Sequence, residues 1–287
     1  MFVDMTVQEA SKHLASQLTG TYELSEAAEI SELVIEHITG TKRAQRINIR
    51  EKQLGENEMI SLESYLHRLL ANEPVQYVLN EAWFCGMKFY VDKNVLIPRP
   101  ETEELVEWII TDCKFPISTL SILDIGSGSG CIAIALKKRL GRVDVWSCDI
   151  STHALAIAEK NAGSLGINVN FLALDFLDKD QTKHLPAFDI IVSNPPYVPE
   201  NDKATMHPNV RDHEPATALF VPNNDSLVFY AAIAEFGKEH LKDRGLIYTE
   251  IHEQLGKPAS ELFSSNGYET KLKKDMQGKE RMLKAYF

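Results

Sequence analysis

Over residues 1 to about 75 the apolar positions recur at helical spacing, as in Ala27, Ile30, Leu33, Val34 and Ile38, and again in Leu62, Tyr65, Leu66, Leu69 and Leu70. That period predicts amphipathic helices, each with one buried stripe. Gly20, Gly40 and Gly55 fall between the apolar stretches and predict the breaks, so this segment reads as a small helical bundle. Glu73-Pro74 ends it. From Trp83 to Val95 the chain turns aromatic and β-branched around Gly86, as a hairpin or an extended connector would. Past Pro98 and Pro100 a helix is expected over 101–111, with Leu105, Val106, Ile109 and Ile110 as its buried stripe.

From Leu120 onward strands and helices alternate. Strands are expected at 120–125, 143–148, 169–174, 188–193 and 245–251, and helices at 130–140, 152–162, 226–242 and 253–265. Alternation of this kind predicts an α/β architecture, a mostly parallel sheet with helices on both faces. Two last short strands, 268–273 and 281–287, lie too close in sequence for a crossover and predict an antiparallel edge. The domain reading is therefore a helical domain over 1–75, whose size and pattern suit partner recognition, a linker or hairpin over 76–98, and an α/β domain over 99–287.

Charge and composition narrow the partners. The chain has 287 residues, 30 Lys and Arg against 41 Asp and Glu, and a net charge of −11. The first 80 residues are acidic too, with 7 basic against 12 acidic side chains, so neither half is a nucleic-acid arm. The longest apolar runs, such as 131–136, fall far short of the ~18 residues a membrane span needs, so no membrane association is expected. MFVDMTVQEA lacks the pattern of a secretory signal, which makes the expected address cytoplasmic. Cys85, Cys113, Cys131 and Cys148 form no CxxC pair and read as reduced, buried thiols; the nine histidines show no ligand spacing, so no metal is expected.

Three motifs carry chemistry. The first is Asp124-Ile125-Gly126-Ser127-Gly128-Ser129-Gly130, a strand running into a glycine loop and then a helix. A dinucleotide fingerprint would need glycine at position 131, where Cys131 stands, and a phosphate loop would need a lysine that is absent. The loop instead resembles the cofactor loop of class I S-adenosylmethionine methyltransferases. The second is the recurrence of acids after strands: Asp124, Asp149 and Asp175 are 25 and 26 residues apart, so they meet at one sheet edge. Asp149 can accept ribose hydroxyls, and Asp175-Phe176 can offer an acceptor and a ring to an adenine. Any one of these acids alone is more often a turn or cap residue, but their regular recurrence after strands is harder to explain that way.

The third is Ser193-Asn194-Pro195-Pro196-Tyr197 after the apolar strand 188–192. An amide or exocyclic amine nitrogen is a weak nucleophile because its lone pair is delocalised, so a methylating site must orient it. The Asn194 side-chain oxygen and the Pro195 carbonyl can accept its two N–H groups and aim the lone pair, the prolines stiffen the loop, and Tyr197 can offer a flat surface to a planar target.

With Glu73-Pro74-Val75-Gln76-Tyr77, Leu96-Ile97-Pro98-Arg99-Pro100-Glu101-Thr102-Glu103, Asn194 to Val198 and Val210 to Pro215, the chain resembles over nearly its whole length the PrmC/HemK family of release factor glutamine N-methyltransferases. Asn-Pro-Pro-Tyr alone is shared with DNA adenine methyltransferases and a ribosomal-protein glutamine methyltransferase; the Ile-Pro-Arg-Pro-Glu-Thr-Glu segment narrows the choice. Asn80 departs from the glycine that relatives often carry there. The resemblance implies a Rossmann-like class I methyltransferase domain over 99–287 and a substrate-recognition role for 1–75. It implies methyl transfer from S-adenosylmethionine, with S-adenosylhomocysteine as product, to the glutamine of the Gly-Gly-Gln motif in class 1 peptide chain release factors. It places Gly126, Ser127, Gly128, Ser129 and Gly130 on the methionine part, Asp149 on the ribose, Phe176 near the adenine, Asn194 by the donor as well, and Asn194, Pro195, Pro196 and Tyr197 on the glutamine. Arg99, Glu101 and Glu214 are loop-fixing residues or structural ion-pair members. A monomer without direct nucleic-acid contact is expected. Two rivals stay open: a ribosomal-protein or nucleic-acid amine methyltransferase, and a catalytically silent S-adenosylmethionine-binding module.

Overall fold

A computed structural model of the chain describes residues 5–113 and 120–287; the first four residues of the stretch compared above with a secretory signal lie outside the described residues. By their contacts the residues form two compact units, one of the chain up to Glu81 joined by His207–His213, the other of Ala82–Met206 and Glu214–Phe287.

The first unit holds helices α1 (Val7–Leu18), α2 (Leu24–Thr39), α3 (Arg43–Arg46), α4 (Glu56–Leu70) and α5 (Val75–Leu79). α1 starts where Thr6 and Glu9 cap each other reciprocally, the Glu9 carboxylate accepting from the Thr6 N–H at 2.8 Å. α2 stops at Gly40, whose φ of +63° only glycine adopts without strain. Leu14, Leu18, Ala27, Val34, Ile35, Leu62 and Leu69 make its core. The stripe on α2 is rotated from the expected one, for Leu33 is 48% exposed and Ile35 is buried in its place. Arg68 fixes the turn after α4 by donating to Glu73 at 2.6 and 2.8 Å and to the carbonyls of Tyr77 and Val78.

The second unit opens on a hairpin of β1 (Ala82–Phe84) and β2 (Met87–Phe89). Cys85 and Gly86 turn it with φ of +48° and +72°, the pair of left-handed residues that matches the twist of flanking strands. α6 (Pro100–Asp112) follows, its proline in the first turn where no N–H is needed. The rest runs β3 (Ser121–Ile125), α7 (Cys131–Leu140), β4 (Asp144–Asp149), α8 (Thr152–Leu165), β5 (Asn170–Ala173), α9 (Lys179–Thr182), β6 (Phe188–Ser193) and β7 (Val198–Pro199). After a 3₁₀ turn come α10 (Pro208–His213), which belongs to the first unit, then α11 (Ala216–Leu219), β8 (Phe220–Val221), α12 (Val228–His240), β9 (Leu241–Glu250), α13 (Gly256–Ser265), β10 (Glu269–Lys274) and β11 (Glu280–Tyr286). The short elements between Val198 and Val221 were not expected, because a proline-rich stretch carries no apolar period.

Seven strands form one sheet in the order β10-β11-β9-β6-β3-β4-β5. All neighbours from β9 to β5 pair in parallel, and β11 pairs antiparallel with both β9 and β10, which is the expected mostly parallel sheet with an antiparallel edge. Two apolar cores cover its faces. One gathers Leu105, Ile109, Ile132, Leu136 and Ala162 from α6, α7 and α8, and the other Tyr230, Ile233, Ala259 and Phe263 from α12 and α13. The chain leaves β3 outward to β4 and β5 and returns to β6 on the other side. That reversal opens a crevice at the carboxyl ends of β3 and β6, where open α/β sheets bind ligands.

Candidate active site

A cavity of about 400 Å³ lies at that crevice, of a size that holds a nucleoside-sized ligand. The glycine loop from Gly126 to Ser129 forms one wall, and Ile150, Asp175, Phe176 and Leu177 form another. Asn194, Pro195 and Pro196 close it from the end of β6, and residues 94–96, Pro98, Arg99 and Thr102 complete the lining. The loop bends through Gly126, Gly128 and Gly130, all at positive φ. At Gly128, with φ of +52°, an added Cβ would meet no protein atom, so the backbone there borders open cavity. At Gly130 the reason is different, since a Cβ would press within 3.1 Å of Ala158 and stop α8 from packing so close.

Buried polar groups hold the loop from below. Asp124 is fully buried and accepts from Ser147 Oγ at 2.8 Å, and Ser147 is 2.7 Å from Ser127 Oγ. Burial, reinforced by the charge of Asp149 but opposed by the Ser147 hydrogen bond, raises the Asp124 carboxyl to about 8. At the end of β4 the two oxygens of Asp149 accept from the Gly128 and Ser151 N–H groups, each at 2.9 Å. Each oxygen keeps a lone pair for a ligand hydroxyl. Phe176 is buried, with its ring edge-on to Phe236 at 5.2 Å, while Ile150 and Leu177 are exposed apolar residues on the cavity wall. An apolar slot beside a carboxylate with spare acceptors fits the adenine and ribose of S-adenosylmethionine, and the wall at Gly128 leaves room for the remainder.

The segment opposite is fixed by two buried acids far along the chain. Glu214 accepts from the Ile97 N–H at 3.2 Å and pairs with Arg99. Burial pushes the Glu214 carboxyl up although Arg99 pulls it back. Glu250, at the end of β9, accepts from Thr102 Oγ1 at 2.6 Å and from the Tyr197 hydroxyl at 3.2 Å. Its carboxyl is raised, by burial first. Asn194 Nδ2 donates to Thr102 Oγ1 at 3.1 Å.

The structure thus gathers Gly126 to Ser129, Asp149, Phe176, Asn194, Pro195 and Pro196 around one cavity, with Gly130 behind the loop. Tyr197 is not on its wall. The phenol turns inward because Glu250 accepts from it, and the ring packs 5.9 Å from His252. Thr102 and Glu250 escaped the sequence reading, although Glu250 carries the mark used for Asp149, an acid closing an apolar strand. Among the described residues no group of histidine, cysteine and acidic side chains is placed to hold a metal, and no helix is long and apolar enough to cross a membrane.

Residues 105–211 match the methyltransferase small domain, and residues 9–79 match the PrmC N-terminal domain. The release factor glutamine methyltransferase of Flavobacterium psychrophilum is 40% identical over 287 residues, covering 99% of this chain and 100% of the relative. That of Bacteroides thetaiotaomicron is 47% identical over 227 residues, covering 78% and 80%. Among solved structures, a methyltransferase from Pyrococcus furiosus superimposes with a TM-score of 0.51 at 18% identity, covering 76% of this chain and 95% of that one, a likeness of fold alone. With identity of this extent to proteins of one kind, and a methyltransferase domain built around the crevice, the chain belongs to the release factor glutamine methyltransferase family.

Proposed function

We propose that the chain transfers a methyl group from S-adenosylmethionine to the side-chain amide nitrogen of the glutamine in the Gly-Gly-Gln motif of class 1 peptide chain release factors, releasing S-adenosylhomocysteine and one N–H proton of the amide to solvent. One observation carries this reading: Asn194, Pro195 and Pro196 line the same cavity as the glycine loop and Asp149, so an oriented amide and a methyl donor can meet there. Bound, S-adenosylmethionine supplies an electrophilic methyl on its sulfonium. The chain's own residues supply place and direction. Gly126 to Gly130 follow the methionine part, Asp149 accepts from the ribose hydroxyls, and Phe176 borders the adenine. Asn194 Oδ1 and the Pro195 carbonyl accept the two N–H groups of the target, which turns the nitrogen lone pair toward the methyl and favours the positive charge that grows on nitrogen. No metal takes part in this scheme. The helical unit, acidic and apart from the glycine loop in sequence, is the proposed docking element for the release factor, and the enzyme works as a single chain in the cytoplasm, without direct nucleic-acid contact.

The test is incubation of the full chain with labelled methyl donor and, in parallel, release factors, ribosomal proteins and DNA. Label is expected on the release factor alone, and peptide mapping should place it on the glutamine. Label on a ribosomal protein or on DNA instead would overturn the substrate assignment.

A further inference from the structure

The carboxamide of asparagine is nearly symmetric in shape, so packing alone does not decide which end faces a substrate. For the role proposed above the end matters: Oδ1 toward the target accepts its N–H, whereas Nδ2 would set donor against donor. Hydrogen bonds around Asn194 make the choice. Glu250 is 2% exposed, sits at the end of β9 and offers only acceptors when ionised. Its Oε2 takes the proton of Thr102 Oγ1 at 2.6 Å, and its Oε1 takes that of Tyr197 at 3.2 Å. A hydroxyl has one proton. With that proton spent on Glu250, Thr102 Oγ1 presents only lone pairs to Asn194, 3.1 Å away, and these can meet only Nδ2.

We infer that Glu250 and Thr102 are positioning residues that fix the direction of the Asn194 amide, leaving Oδ1 to the target nitrogen. The inference rests on the reading of Asn194 as an acceptor for the glutamine amide. Thr102 stands on the first turn of α6 and lines the cavity, and Glu250 closes β9 on the far side of β6; both act here through Asn194, by the hydrogen bonds that link the three. Tyr197 belongs to the same set, occupying the second oxygen of Glu250 so that the carboxylate cannot turn away from Thr102. The bland alternative is that the Thr102–Glu250 bond only ties α6 to β9. A tie of that kind would alter melting temperature without regard to Asn194.

Single-turnover methylation of a release factor at saturating donor separates the two. Thr102→Val keeps the volume and removes the hydroxyl. It should lower the methyl-transfer rate about 10- to 100-fold, the scale of a misaligned reacting group, with donor Kd unchanged. Thr102→Ser should restore the rate. In the Asn194→Ala background Thr102→Val should add little, because the group it directs is gone. Should Thr102→Val leave the Glu250 charge too costly for folding, Thr102→Val/Glu250→Gln makes the same cut without a stranded charge and should show the same loss. A normal rate in the folded hydroxyl-less variant, or an equal loss with and without the Asn194 side chain, overturns the inference. A normal rate for Asn194→Ala alone overturns the reading of Asn194 instead, so the two failures are distinguishable.

Discussion

The two ends of the seven-stranded sheet are built from the same residue types to opposite effect. At the amino end a smaller cavity, about 310 Å³, lies beside Ser121, Asp144, Trp146 and Lys242. The acids there are matched. Asp189 accepts from the Ser121 N–H at 2.8 Å and from Lys242 at 2.9 Å, and Asp144 from the Trp146 and Asn170 side chains. Burial works against the Asp189 charge, but Lys242 and Ser121 outweigh it and hold that carboxyl below the usual range. At the carboxyl end Asp124, Glu214 and Glu250 are all buried and all pushed up, and the loop beside them runs through three left-handed glycines. One end spends its charges on holding strands together. The other keeps backbone in uncommon conformations and acids under-compensated, which costs stability and is retained where a ligand must be met closely.

The largest effect that would break this contrast is expected at Gly128. Gly128→Val puts a β-branched residue at φ of +52° and a side chain into the cavity, so donor affinity should fall roughly 100-fold or more. Calorimetry with S-adenosylmethionine reads it, and undiminished binding would place the donor elsewhere. Next is Asp149→Ala, which should weaken donor binding by roughly 1–3 kcal/mol through loss of a charged acceptor; unchanged affinity removes Asp149 from the ribose. A pH series tests the contrast by sign. Asp124 has a raised carboxyl, so its stabilising contribution is present below 3.8 and is lost as pH rises toward about 8. Asp189 has a lowered one, so its contribution is present above 3.8 and is lost as pH falls. Urea unfolding across pH should then show Asp124→Asn gaining on the parent as pH rises through that range, by at most about 1.4 kcal/mol per unit, and Asp189→Asn losing on it as pH rises from strong acid. Parallel slopes for the two variants would mean that the two ends do not differ in this way.

Legibility in the sequence followed the range of the forces. β6 was expected at 188–193 and is found there, since an apolar run closed by Ser193-Asn194-Pro195 needs no distant partner to be recognised. The glycine loop and Asp149 were legible for the same reason, each being a local pattern at a strand end. Leu33 was misjudged because the buried face of α2 is chosen by α1 and α4, which its own spacing does not describe. Tyr197 was assigned a surface toward the target, yet the acid that turns it inward lies 53 residues on. The same distance effect hid Thr102 and Glu250, which are 148 residues apart and gain meaning only when β9 and α6 come together. Likewise His207–His213 gives no local sign of joining the helical unit, where the His213 ring lies 3.1 Å from the Ala71 carbonyl.

The proposed reaction depends above all on Asn194 aligning the amide that receives the methyl. Single-turnover methylation of a release factor by Asn194→Ala, at saturating S-adenosylmethionine, tests it most directly. The expected result is a rate about 10²–10³-fold below the parent with donor affinity nearly unchanged, the scale of losing one preorganised polar partner. A rate near that of the parent would contradict the claim and shift the aligning role to the Pro195 carbonyl.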